Sequence, residues 1–177
     1  MSRVITFSRV FPSYHPRKGE QTFFVEKILN SVYKPKSIHD IPIEVQNIIN
    51  TMVLLDKEEK YHTIRAGNRW KVGDKFSPRI WSGKPYQSKQ IIIAPDIEIK
   101  KIWDYEVKII NSGIEQWVLN GTQVSESNEY MQHWFNAFLI EKIANNDGLA
   151  LNDFLNWFKH PKPFTGQIIC WNETIEY

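Results

Sequence analysis

The sequence predicts an α+β fold, a small, mixed, strongly curved sheet or barrel with helices at its periphery. Three observations carry that expectation. Short runs rich in β-branched and aromatic residues recur from Val4 to Cys170, separated by Gly, Pro and Asn turn signals. Stretches beginning near Thr22, Asp40 and Ser127 instead repeat apolar residues at helical intervals. The 177 residues are enough for one well-buried domain and too few for two comfortable ones.

In chain order, Val4 to Phe7 reads as an opening strand, followed by a loop marked by Pro12, Pro16 and Gly19. Between Thr22 and Val32, the positions of Phe24, Ile28, Leu29 and Val32 predict an amphipathic helix. Asp40 is expected to cap a second helix, with Pro42 in its first turn and Ile41, Val45, Ile48, Ile49 and Met52 on one stripe. His62 to Ala66 and Lys75 to Trp81 read as strands, and Pro78 argues for an edge position or a bulge in the latter. Further strands are expected at Gln90 to Ala94 and along the alternating run from Ile97 to Ile109. Asn120-Gly121 is the strongest short hairpin signal in the chain. Ser127 is expected to cap a third helix carrying Met131, Trp134, Phe135, Phe138, Leu139 and Ile143, too apolar to stand alone. A short helix with Leu151, Phe154, Leu155 and Phe158 then precedes a closing strand at Gln167 to Cys170.

Composition removes several function classes. A lone cysteine, Cys170, excludes an internal disulfide and any Cys-x-x-Cys pair, and its apolar neighbours Ile168, Ile169 and Trp171 suggest a buried, inert thiol. The five histidines fall at no metal-ligand spacing, so neither a metal nor another cofactor is expected. No apolar leader and no bilayer-length apolar run is present, which predicts a cytoplasmic protein without a membrane partner.

Charge is concentrated. Between Arg65 and Lys89 lie seven basic residues and one acid, giving +6 in a chain whose total is +2. The stretch from Glu58 to Lys89 that contains this window interleaves Tyr61, Trp70, Phe76, Trp81 and Tyr86 with the cations. Cations hold a phosphate backbone and exposed rings stack on bases, so this combination points to nucleic acid.

Leading into that window, Lys60, Thr63 and Arg65 form a Lys-x-x-Thr-x-Arg arrangement, with Lys71-Val72-Gly73-Asp74 following. The pattern resembles the ASCH domain, a branch of the PUA-like superfamily with the hallmark Gly-x-Lys-x-x-Thr-x-Arg; Glu58 stands where the hallmark has glycine. The resemblance implies a PUA-like small curved β-barrel with peripheral helices. It also implies one domain over residues 1–177, with insertions near 33–57 and 111–146. Some ASCH proteins are amidohydrolases acting on N4-acetylcytidine through a Lys, Thr and Glu set, and others are reported as ribonucleases. By that resemblance Lys60 and Thr63 match the first two positions, and Asp147 stands at the position of the Glu.

Three readings follow. The first is a binder of nucleic acid, RNA before DNA, or of a modified nucleoside, with Arg65, Arg69, Lys71 and Arg79 on phosphates and Trp70 or Trp81 stacking on bases. The second is a metal-independent hydrolase using Lys60, Thr63 and Asp147. The third is a protein-interaction adaptor using the aromatic helix around Trp134 and Phe138.

Overall fold

The computed structural model describes residues 3–56, 58–109, 115–123, 130–158 and 163–177. It is a mixed α+β structure. The strands are β1 (Arg3–Thr6), β2 (His62–Ala66), β3 (Lys75–Trp81), β4 (Gln90–Ile92), β5 (Ile97–Glu98), β6 (Lys101–Ile109), β7 (Glu115–Leu119), β8 (Thr122–Gln123) and β9 (Phe164–Cys170). The helices are α1 (Phe24–Val32), α2 (Ile43–Gln46), α3 (Thr51–Leu55), α4 (Tyr130–Asn146) and α5 (Leu151–Trp157). Backbone contacts divide into two compact units, Met1–Tyr61 with Gly73–Glu98 and His62–Val72 with Ile99–Tyr177.

Neither sheet closes among the described residues, which corrects the expected barrel. The first has the order β1-β3-β4 with β5 also on β3, and the second the order β2-β9-β6-β7-β8. Closure needs a continuous ring of hydrogen-bonded strands. Here β2 pairs with β9, far away in sequence, and the following strand β3 pairs with β1, so the extended segments fall into two open sets.

In the first unit, β1 runs parallel to β3, with Ile5 opposite Pro78 and Thr6 opposite Arg79. Pro78 therefore lies in a central strand, not at the expected edge. It is tolerated because the other side of β3 changes partner there: β4 pairs Arg79 to Trp81 and β5 pairs Lys75 to Phe76. At the gap the Pro78 carbonyl accepts the Ile93 N–H at 3.1 Å, and the missing proline N–H breaks no ladder. The core of this unit is built from Ile5, Phe76, Ile80 and Ile93 of the sheet region and Phe24, Val25, Ile28 and Leu29 of α1, all buried.

The expected helix from Asp40 to Met52 is instead a 3-10 turn over Ile38–Asp40 followed by α2 and α3. Asp40 does not cap α2; its carboxylate accepts the N–H groups of Lys36 and Ser37 at 2.9 and 3.0 Å, which holds its pKa below the ordinary value. The break before α3 has a local cause. Asn50 Oδ1 accepts the Met52 N–H at 3.0 Å, and the buried Glu26 carboxylate of α1 accepts the Asn50 N–H at 2.7 Å. Ile41 and Val45 are buried as predicted, but Met52 is 71% exposed.

In the second unit, alternation separates two faces. His62, Ile64, Trp103, Tyr105, Val107, Trp117, Ile168 and Cys170 share one, by register. Rings from α5 and its C-cap join it: Tyr105 meets Phe158 at 6.0 Å and Trp117 meets Phe154 at 6.0 Å. Asn120 and Gly121, at φ 48° and 77°, form the predicted two-residue turn between β7 and β8. The helix α4 ends one residue before Asp147. Gly148, at φ 76°, lets the Gly148 and Leu149 N–H groups return to Asn145 and Ala144 carbonyls, both at 3.0 Å. The proposed cap Ser127 and the side chains of Met131, Trp134 and Phe135 lie outside the described residues, while Phe138 is 67% exposed. No helix among the described residues is long and apolar enough to cross a membrane.

Candidate nucleic-acid interface

On β3 the residues Lys75, Ser77, Arg79 and Trp81 alternate with the buried Phe76, Pro78 and Ile80 and so share the opposite face. Arg79 Nε donates to Ser77 Oγ at 3.1 Å and Nη1 donates to Gln90 Oε1 at 3.3 Å. Both acceptors are neutral. They fix the direction of the guanidinium while leaving its charge uncompensated, and Arg79 makes no ion pair among the described residues. Gln90 reaches it because β4 places Gln90 opposite Trp81, two residues along the same face.

Beyond Trp81 the chain turns through a tied loop. Ser88 Oγ accepts the Gly83 N–H at 3.0 Å and donates to the Lys84 carbonyl at 2.9 Å, and the Ser82 N–H donates to the Lys89 carbonyl at 2.9 Å. The loop carries Tyr86 with its ring 5.3 Å from that of the half-buried Trp81, tilted by 50°. Tyr86 is 89% exposed and adopts φ 63°, a left-handed conformation costly for a bulky residue. Lys84 and Lys89 flank it and are exposed. One hairpin thus combines an oriented arginine, two accessible rings and two lysines, which is the chemistry of phosphate contact with base stacking.

The other predicted site residues are distributed differently. Lys60, in the first unit, is only 1% exposed, with Nζ 4.2 Å above the Phe24 ring and its N–H donating to the Lys27 carbonyl at 3.1 Å. The stretch before it is tethered to α1, since Glu58 pairs with Lys27 at 2.7 Å and its carbonyl accepts from Asn30 Nδ2 at 3.0 Å. Thr63 and Arg65 share a face of β2, as expected, with Arg65 opposite Gln167. Arg69 and Lys71 are exposed. Trp70 between them is 2% exposed and so is unavailable for stacking, which corrects its assignment as a base-stacking residue.

Asp147 is not brought to Thr63. Its carboxylate lies 3.4 Å from His62 Nδ1, and His62 projects from β2 on the face opposite Thr63. His62 Nε2 donates to the Ile143 carbonyl at 3.1 Å, because a carbonyl only accepts. Cys170 is the register partner of His62, so cysteine, histidine and aspartate are neighbours, yet both imidazole nitrogens face oxygen and burial pushes the thiol up to about 11. No activated nucleophile results. The buried Tyr105 hydroxyl has no hydrogen-bond partner among the described residues; burial first, and the nearby Asp147 charge second, hold its pKa well above the ordinary value. No group of three His, Cys, Asp or Glu among the described residues can hold a metal.

From sequence, Tyr86 is named only among the rings of the basic window, and Ser77, Gln90 and Gln167 are not singled out as site residues. Ser77 was readable, two before Arg79 on a strand, whereas Gln90 depends on the hairpin register and Gln167 on a pairing across the chain. Compared with models of protein families, with curated proteins and with solved structures, the chain matches none of them.

Proposed function

We propose that this protein binds single-stranded nucleic acid, RNA in preference to DNA, through the β3–β4 hairpin and its loop, and that it is a diverged ASCH-type, PUA-like protein of the cytoplasm. The observation that carries the binding reading is the Arg79 guanidinium, held by Ser77 and Gln90, beside the Trp81–Tyr86 pair. The Lys60, Thr63 and Arg65 pattern supports the kinship, and the lone cysteine supports a reducing compartment. Unstacked bases offer the faces that exposed rings can take up, and a duplex hides them, which favours a single strand.

The test is anisotropy titration of labelled single-stranded RNA, single-stranded DNA and duplex RNA at two salt concentrations. RNA single strands are expected to bind best, with affinity falling steeply as salt rises. Absent binding at low salt, or binding indifferent to salt, would refute the proposal. Trp81→Ala is expected to weaken binding by ~10-fold or more without loss of fold.

A further inference from the structure

We propose that the loop of residues 67–72, in the second unit, is a second and separate phosphate-binding element, with Arg69 and Lys71 as its cations and Gln167 as the residue that positions them. This rests on the nucleic-acid reading and names a second place where a nucleic-acid strand is gripped. Four observations carry it. The Trp70 side chain is buried, while its neighbours on either side, Arg69 and Lys71, are both exposed. Gln167, itself buried, holds the Trp70 peptide groups twice: its Oε1 accepts the Trp70 N–H at 3.0 Å and its Nε2 donates to the Trp70 carbonyl at 3.3 Å. The Arg69 guanidinium lies 5.7 Å from the Trp70 ring centroid, a cation–π distance that limits its swing. The loop is tied at its other end by the Gly67 N–H, which donates to the Thr165 carbonyl at 3.2 Å.

A loop held in this way presents two charges with little ordering entropy left to lose on binding. The segment His62–Val72 contains three basic residues and no acid, whereas residues 99–177 carry more acids than bases. Net positive charge in this unit is therefore confined to the segment His62–Val72, which holds the braced loop. A solvated surface has no need of a buried glutamine that spends both ends of its amide on one tryptophan's peptide groups.

The experiment compares the full chain with Arg69→Gln/Lys71→Gln, with Gln167→Leu and with the triple variant, titrating single-stranded RNA over a range of salt. The double variant is expected to bind several-fold more weakly and to reduce the salt slope by about 1.4, roughly 0.7 for each phosphate no longer neutralised. Gln167→Leu is expected to weaken binding several-fold in the intact background and to add nothing in the double variant. A glutamine that served stability alone would lower the melting temperature equally in both backgrounds and leave the salt slope unmoved. Wild-type binding with an unchanged slope in the double variant overturns this inference and leaves the hairpin site standing. Failure of the wild type to bind overturns both.

Discussion

Trp81 and Trp70 make the sharpest comparison in the molecule. Each lies within two residues of an arginine in the same basic window, and composition cannot tell them apart. Trp81 lies half-buried on the polar face of β3 with Tyr86 beside it, and Trp70 is buried with Gln167 gripping its backbone. Register decides the difference: a side chain on the outward phase of a strand stays accessible, and one pinned from the chain outside the strands becomes part of the interior. On the β3–β4 hairpin of the first unit Arg79, Trp81 and Tyr86 thus share an accessible face, whereas His62, Asp147 and Tyr105 of the second unit are buried.

Trp70→Ala should break the contrast most severely. A large buried ring is removed, and chemical denaturation should record roughly 3–5 kcal/mol of destabilisation; a decrease below about 1 kcal/mol would mean the ring is not core. Gly166→Ala comes next. A Cβ there would press on the Arg65 carbonyl oxygen well inside van der Waals distance, where backbone must move, and about 3 kcal/mol of destabilisation is expected. Trp81→Ala should do the reverse of Trp70→Ala, leaving the melting temperature within a few degrees while RNA affinity drops.

Tyr105→Phe sharpens the comparison more gently. Removing a buried hydroxyl with no described partner should leave stability unchanged or raise it by up to about 1 kcal/mol. A decrease of about 2 kcal/mol or more would reveal a bond to that oxygen. The smallest effect concerns alkali. The folded Cys170 thiol titrates near 11, above its ordinary value of 9.0, so the folded state keeps its proton after the unfolded chain has lost it. Stability from this source is complete below pH 9 and disappears as pH rises towards 11. Cys170→Ala should flatten the fall in denaturation midpoint across that interval, and an identical fall in the variant would exclude the thiol as its cause.

Local signals in the sequence located most elements. The Asn120-Gly121 turn, the helix over Phe24–Val32 and the alternation through Trp103, Tyr105 and Val107 all appear where period and turn chemistry put them. What escaped was long-range. The pairing of His62 with Cys170 and of Arg3 with Phe76 joins residues whose local patterns say nothing of each other, so two open sheets replaced one barrel. Asp147 illustrates the same limit at the site. Its place after α4 was readable, but its approach to His62 instead of Thr63 depends on which face of a distant strand the helix end meets. Ser77 and Arg79 were legible from alternation alone, whereas Gln90 needed the register of the hairpin.

The position of β9 in the second sheet bears on how the chain comes off the ribosome. It lies between β2 and β6, yet it is the last of the nine strands among the described residues to be synthesised. Until it emerges, β2 and β6 lack their common neighbour, and both present bare hydrogen-bonding edges to any other nascent or aggregating chain. Assembly of that sheet is therefore a late, long-loop event, and a chain stopped before Phe164 lacks its middle, not its rim.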